Sequence, residues 1–423
     1  MKITFLFGAG AEGRGQIGMP FGNEFKKDII LADHVAPFAN AINKSVLQSL
    51  AIKNGTNLTH NSSGVLYQTI VELQEYDSSC MDKLFSKESD RQTAKEYLEY
   101  KQGDSNPDND TKQRIIESFS KLYRENFYDV VKYGSSNEEL EYFLKNAGIY
   151  AYLDGLFGYL RKPTLYPKEC ARIVKLYFSA MYSMLKSLYK RNNTLATNVE
   201  YVSVLSSLDR ATLPSFIEEQ QQLIIEDVTK SKEKTYYGYI NKLKNKVESD
   251  TQKIDLSVIN LNYTSFAEKI IGLDRENIAY LHGKLGLFEE LKTKRIGELS
   301  ELDVDETVFP YLLVQSGIKP IISPRQIEEF GKAANWMRKA DMIVILGYGV
   351  NSDDEHISNF LRWRIDNDKR VVCFIHENSE DTAFKNEMKR IQRQLVNSPN
   401  LEFKSTLDFE KFIEQVTVNG GQQ

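Results

Sequence analysis

Apolar and polar positions fall into three regimes along the chain. Ile3-Thr4-Phe5-Leu6-Phe7 has the β-branched and aromatic content of a buried strand, and Gly8-Ala9-Gly10-Ala11 after it reads as a tight strand-to-helix turn. From about residue 41 to 250, apolar residues recur at three- and four-residue steps, as in Ile173, Tyr177, Met181, Met184 and Leu188, which predicts helices. Two polar gaps, Lys53–Gly64 and Lys101–Gln113, predict loops because they mix Asn, Asp, Ser and Gly without apolar periodicity. From about residue 254 the period changes again. Short apolar runs, Val258-Ile259, Ile278 to Leu281, Ile321-Ile322, Met342 to Leu346 and Val371 to Ile375, alternate with helical segments. That alternation predicts a parallel sheet covered on both faces. Ser323-Pro324 and Ser352-Asp353-Asp354-Glu355 mark helix starts, and Ser405 to Val416 predicts a final amphipathic helix before a loose tail.

The expected fold is α/β: a Rossmann-like parallel sheet with helices on both faces, interrupted by a large mainly helical insertion. Residues 1–40 and 254–423 would form one discontinuous domain and residues 41–253 the insertion. With 423 residues, of which 41% are hydrophobic, the chain can bury one large core or two, which excludes disorder. Its 54 basic and 59 acidic residues leave a net charge of −5, so there is no global basic field for nucleic acid. Cys80, Cys170 and Cys373 lie far apart in sequence and build neither a disulfide framework nor a zinc ribbon, which fits a reducing compartment. No apolar stretch reaches the roughly 18 residues of a membrane span, so the expected location is the cytoplasm. Of the 23 tyrosines, 19 fall between residues 41 and 250. Interleaved with lysines they could stack nucleic-acid bases, but at helical spacing tyrosines read as core or interface residues.

Four segments could carry chemistry. Six of the 24 glycines lie in the first 22 residues, and Gly8-Ala9-Gly10-Ala11-Glu12 would let backbone N–H groups face a pyrophosphate at a helix N-terminus. Val258 to Thr264 is an apolar strand running into Asn262-Tyr263-Thr264, where the asparagine either meets a ligand at the strand's carboxyl end or caps the next helix. Ile278 to Gly283 ends in His282, which is either a structural histidine or a group acting on a ribose hydroxyl. Met342 to Ile357 is a second strand, glycine turn and acid-loaded helix start. His34, His60 and His376 share no comparable features, and His356 reads as a helix-surface or packing residue. Neither H-E-x-x-H nor a P-loop lysine motif is present, and metal catalysis has no support in the sequence.

Taken in order, Gly8-Ala9-Gly10-Ala11 with Gly18-Met19-Pro20, Asn262-Tyr263, His282-Gly283, and Gly347-Tyr348 with Asp354 resemble the sirtuin-like family in its bacterial NAD-hydrolysing, antiphage branch. The resemblance covers about residues 1–30 and 254–380. It implies that NAD is a substrate, with Gly8, Ala9, Gly10 and Ala11 lining the pyrophosphate and Pro20 closing over the nicotinamide ribose. Asn262 would orient the attacking water or the ribose, with Tyr263 beside it, and His282 would act on a ribose hydroxyl. Gly347 and Asp354 would border the adenosine. Glu12 stands where the family usually has serine, and the zinc cysteines of the protein-deacetylating branch are missing.

The implied activity is NAD glycohydrolysis to nicotinamide and ADP-ribose, or a cyclic form, in antiviral defence by NAD depletion. An effector of that kind needs a trigger. The helical region is therefore expected to mediate homo-oligomerisation or to bind an activating partner, a translocase-type ATPase or a phage-derived trigger, with no membrane involved. The alternative is a non-catalytic sensor or regulatory subunit that holds NAD or ADP-ribose, motivated by Glu12 in the phosphate turn. A protein deacylase is a third reading.

Overall fold

The computed structural model describes residues 1–13, 15–19, 35–43, 87–103, 106–123, 167–230, 235–249, 254–313, 324–350, 354–376 and 381–419. The chain divides into two compact units, one of Met1–Gly22, Ala180–Gln315 and Ile321–Gln423, the other of Asn23–Ser179 and Ser316–Pro320. Sequence periodicity changes at about 253, whereas residues 180–249 cluster with the sheet.

Six parallel strands form the main sheet: β1 (Lys2–Phe7), β2 (Asp255–Asn260), β3 (Ile278–Tyr280), β7 (Met342–Leu346), β8 (Arg370–Ile375) and β9 (Leu401–Ser405). Their order is β3-β2-β1-β7-β8-β9, which among these six strands is 3-2-1-4-5-6, the order of a doubly wound dinucleotide-binding sheet. The direction of winding reverses between β1 and β7. Register runs from Ile3 opposite Leu256 and Met342 to Phe7 opposite Asn260 and Leu346.

The apolar runs lack strand alternation because both faces are covered. On one face Leu6, Ile345 and Cys373 pack with Met337 of α3 (Pro324–Lys339), with Ile357, Leu361 and Ile365 of α4 (Glu355–Asp366), and with Phe384 and Ile391 of α5 (Thr382–Gln394). The four-residue spacing in α4 puts its three apolar side chains on one stripe, and burying Leu361 or Ile365 contributes about 2 kcal/mol each. On the other face Phe7 packs edge-on against Tyr237 of α1 (Tyr236–Ser249) at 4.9 Å, and Phe374 against Phe409 of α6 (Phe409–Asn419) at 5.0 Å. So α1, read from sequence as part of the insertion, covers the sheet.

A second sheet, antiparallel in the order β5-β4-β6, follows His282 directly: β4 (Gly283–Glu290), β5 (Ile296–Gly297) and β6 (Val308–Leu312). It was not foreseen, and neither was β9. Gly283 opens it at φ +90°, where a Cβ would lie 2.0 Å from the Tyr311 carbonyl oxygen. Only glycine permits that approach.

In the other unit, the helices Glu88–Gln102 and Asn109–Tyr123 pack through Tyr97 stacked on Phe119 at 3.9 Å. The loop expected over Lys101–Gln113 is shorter than its composition suggests. Gly103 ends the first helix in the left-handed region, and the Asp108 carboxylate accepts the Thr111 N–H at 2.8 Å to start the second. The expected loop at Lys53–Gly64, strand at Ile321-Ile322 and cap at Ser323 lie outside the described residues, as do Ser352, Asp353 and the tail beyond residue 419. On the helix Pro167–Asn192, Tyr177 of this unit and Met181, Met184 and Leu188 of the sheet's unit are buried, as their spacing predicts. No helix among the described residues is long and apolar enough to cross a membrane.

Candidate functional site

The carboxyl ends of β1, β2, β3 and β7 bring the sequence candidates to one edge of the sheet. At the winding reversal, the Gly8 N–H donates to Leu346 O at 3.0 Å and the Gly10 N–H to Gly347 O at 2.9 Å. Gly347 sits at φ +64°, and a Cβ there would lie 2.0 Å from Ala11 N, so the turn after β7 closes on the turn after β1 only with glycine at this position.

The phosphate cradle expected from Gly8 to Glu12 takes another form. A three-residue 3-10 turn, Ala9–Ala11, follows β1, rather than the N-terminus of a long helix. The N–H groups of Gly8, Gly10, Ala11 and Glu12 all donate to backbone carbonyls within the protein. What the segment offers a ligand is therefore closeness of approach, through its small side chains.

Asn262 stands just beyond β2. Its N–H donates to the Asn260 side-chain oxygen at 3.1 Å, which shapes the turn, and its amide Nδ2 donates to Gly8 O at 3.1 Å. It does not cap α2 (Phe266–Ile271); Ser265 occupies that position, with its N–H and hydroxyl both donating to Gln221. The alternative reading of Asn262 as a cap is thereby corrected. Tyr263 turns the other way, and its hydroxyl donates to Leu313 O at 2.7 Å. Burial, with the Asp354 charge adding to it, holds that phenol above its ordinary pKa.

His282 follows β3 with its side chain 10% exposed, and its Nε2 lies 3.3 Å from Asp354 Oδ1. Asp354 precedes α4 but forms no side-chain cap. It faces His282, and the pair links the ends of β3 and β7. His356, in the first turn of α4, packs edge-on against Phe330 at 4.9 Å, the packing position expected of it. Pro20, His34, His60 and Cys80 lie outside the described residues.

Sequence reasoning missed what lies beneath Asn262. Glu12 is 3% exposed, and its two carboxyl oxygens accept from Thr264 Oγ1 at 2.7 and 2.6 Å and from the Tyr237 hydroxyl at 3.1 Å. Asn262 Nδ2 lies 3.5 Å from the same Tyr237 hydroxyl. Burial pushes Glu12 up to about 7 against the lowering effect of Thr264, Tyr237 and Asn262. The one sequence signal was an acid inside a turn of small residues.

Partial likeness is to sirtuins. A sirtuin structure concerned with substrate affinity is 12% identical over 44% of this chain and 73% of its own, with a TM-score of 0.28. Sir2Tm bound to a propionylated peptide is 11% identical over 51% of this chain and 85% of its own, also at 0.28. A mutant Sir2 homologue in complex with ADP-ribose is 10% identical over 44% and 67%, at 0.29. No family model and no curated protein matches the sequence.

Among the described residues, no group of three or more His, Cys, Asp or Glu side chains is arranged to hold a metal. The arrangement at the strand ends offers a fixed amide, a histidine turned toward a carboxylate, and two glycine turns in contact. It suits orienting a nucleophile and taking up a proton more than direct attack.

Proposed function

We propose that the chain is an NAD glycohydrolase of the sirtuin-like, bacterial antiviral type. One observation carries the reading: the glycine turns of β1 and β7 meet where the winding reverses, and Asn262 and the His282–Asp354 pair stand at that same edge. The pyrophosphate of NAD would lie over Gly8, Ala9, Gly10 and Ala11, with the adenosine toward Gly347 and Asp354 and the nicotinamide ribose toward Asn262, Tyr263 and His282; Pro20 would close over that ribose.

Cleavage of the C1′–N bond sends its electron pair to nicotinamide and leaves positive charge on the ribose. A water oriented by Asn262 forms the new C–O bond, and its proton passes to His282 directly or through a ribose hydroxyl. Asp354 fixes the imidazole and stabilises it when it carries that proton. The products are nicotinamide and ADP-ribose, or a cyclic form where a group of the substrate replaces water. The sensor reading is motivated by Glu12 as an acid in the phosphate turn; its carboxyl is bound to Thr264 and Tyr237, which favours the glycohydrolase reading over it.

Residues 1–40 and 254–423 would form the catalytic part, covered on one face of its sheet by α1. The rest of residues 41–253 would regulate it through homo-oligomerisation or an activating partner, a translocase-type ATPase or a phage-derived trigger. NAD depletion in the cytoplasm of an infected cell would be the outcome.

The test follows nicotinamide release from NAD, with and without extract of phage-infected cells. Asn262→Ala and His282→Ala are each expected to lower release by about 100-fold or more. Release that persists in both variants would refute these assignments. Bound NAD without release under either condition would turn the reading to a sensor.

A further inference from the structure

Between Asn262 and the core lies a closed set of polar groups that the proposed reaction does not use. Thr264 is fully buried at the end of β2, Tyr237 is fully buried on α1, and Glu12 joins them from the turn after β1. Three different elements thus meet on one carboxyl group, and the Asn262 amide sits on the same network. Asn262 Nδ2 bonds Gly8 O at 3.1 Å and lies 3.5 Å from the Tyr237 hydroxyl, which itself donates to Glu12 at 3.1 Å. An amide whose nitrogen end is drawn inward presents its oxygen end outward.

We propose that Glu12 is a positioning residue for Asn262: as a carboxylate it fixes the Tyr237 hydroxyl, whose oxygen draws the amide nitrogen inward and so presents Oδ1 to the nucleophile, and on taking up a proton it gives up that hold. The proposal rests on the glycohydrolase reading and adds a pH dependence to it. A protonated carboxyl is itself a donor and competes with the Asn262 amide for the Tyr237 hydroxyl oxygen. The titratable groups facing Glu12 are the phenols of Tyr237 from α1 and Tyr280 from β3. Burial raises both well above 10, with Glu12 adding to it at Tyr237 and chiefly Glu268 at Tyr280, so they stay protonated while Glu12 titrates. Thr264 and Asn262, from the end of β2, do not titrate. With the Glu12 midpoint at about 7, the step falls in the neutral range.

The experiment compares wild type with Glu12→Gln in the full-length protein. In wild type, kcat for nicotinamide release is expected to rise through a midpoint near 7. In Glu12→Gln that step should vanish, with kcat lowered by about tenfold and KM for NAD changed by less than about threefold. The side-chain amide resonances of Asn262 are followed over the same pH range and need no turnover. They should shift with the same midpoint in wild type and stay flat in Glu12→Gln. A kinetic step retained in Glu12→Gln, or Asn262 resonances that ignore Glu12, would overturn the proposal. Absence of NAD cleavage in every variant would defeat the glycohydrolase reading, and the Asn262 resonances would then decide the coupling to Glu12. Thermal unfolding of Glu12→Gln separates a misfolded variant from a mispositioned amide, and Tyr237→Phe, which removes the hydroxyl between Glu12 and Asn262, should leave the Asn262 resonances flat over the same pH range.

Discussion

Two carboxylates of the same unit, Glu12 and Glu268, each accept from a buried tyrosine hydroxyl, yet they sit on opposite sides of their ordinary pKa. Glu268 on α2 accepts from Tyr280 at 2.7 Å and pairs with Lys284 of β4 at 2.7 Å. Burial pushes it up, but the Lys284 bond and charge, with Tyr280 and Arg275, outweigh that and hold it below the usual carboxylate range. Glu12 accepts from Tyr237 and Thr264, both neutral, and burial holds it up at about 7. Hydroxyl donors alone do not offset desolvation of a charge; a cation does. The Glu268 pair is a brace between α2 and β4. The Glu12 cluster stores an unbalanced ionisation next to Asn262, an arrangement that costs stability and suits function.

The difference has opposite consequences for stability against pH. The folded state binds the Glu12 proton more tightly than the unfolded state does, so its contribution declines as pH rises from about 4.5 to about 7. Glu268 behaves in reverse: its contribution is present above the unfolded carboxylate pKa and is lost as pH falls through the lowered folded value. The largest expected effect follows. Glu12→Gln should raise unfolding free energy above neutral pH by on the order of 3 kcal/mol at most, and the gain should fade toward pH 4.5. Urea unfolding at several pH values measures it, and a gain independent of pH would break the comparison.

Next in size is Lys284→Met, which leaves Glu268 buried without its cation and should cost about 2 kcal/mol near neutrality, less in acid. The same unfolding series reads it, with the slope opposite in sign to that of Glu12→Gln. Smallest is the tyrosine pair: Tyr237→Phe and Tyr280→Phe should each cost about 1 kcal/mol in stability. Only Tyr237→Phe should disturb nicotinamide release, and equal effects on release would erase the distinction between brace and site.

Much of the main sheet was legible because strands buried on both faces write themselves as unbroken apolar runs, as in Met342–Leu346. The antiparallel sheet was not, since Gly283–Glu290 mixes glycine, lysine and two buried glutamates, a pattern without either period. Asn262 and His282 were singled out because each ends an apolar run on a polar residue. Tyr237 was not, because a tyrosine at helical spacing reads as core, which it also is: one edge packs on Phe7 while the hydroxyl serves Glu12. Asp354 was seen as a helix-start acid, since its partner His282 lies 72 residues away in the chain and no local pattern records that pairing.

The most direct test is a crystal structure of the His282→Ala variant with NAD bound. The account predicts the pyrophosphate over Gly8 to Ala11 beside Gly347, and the nicotinamide ribose beside Asn262, within reach of the space left by the imidazole. Density for NAD away from the carboxyl ends of β1 and β7 would contradict it.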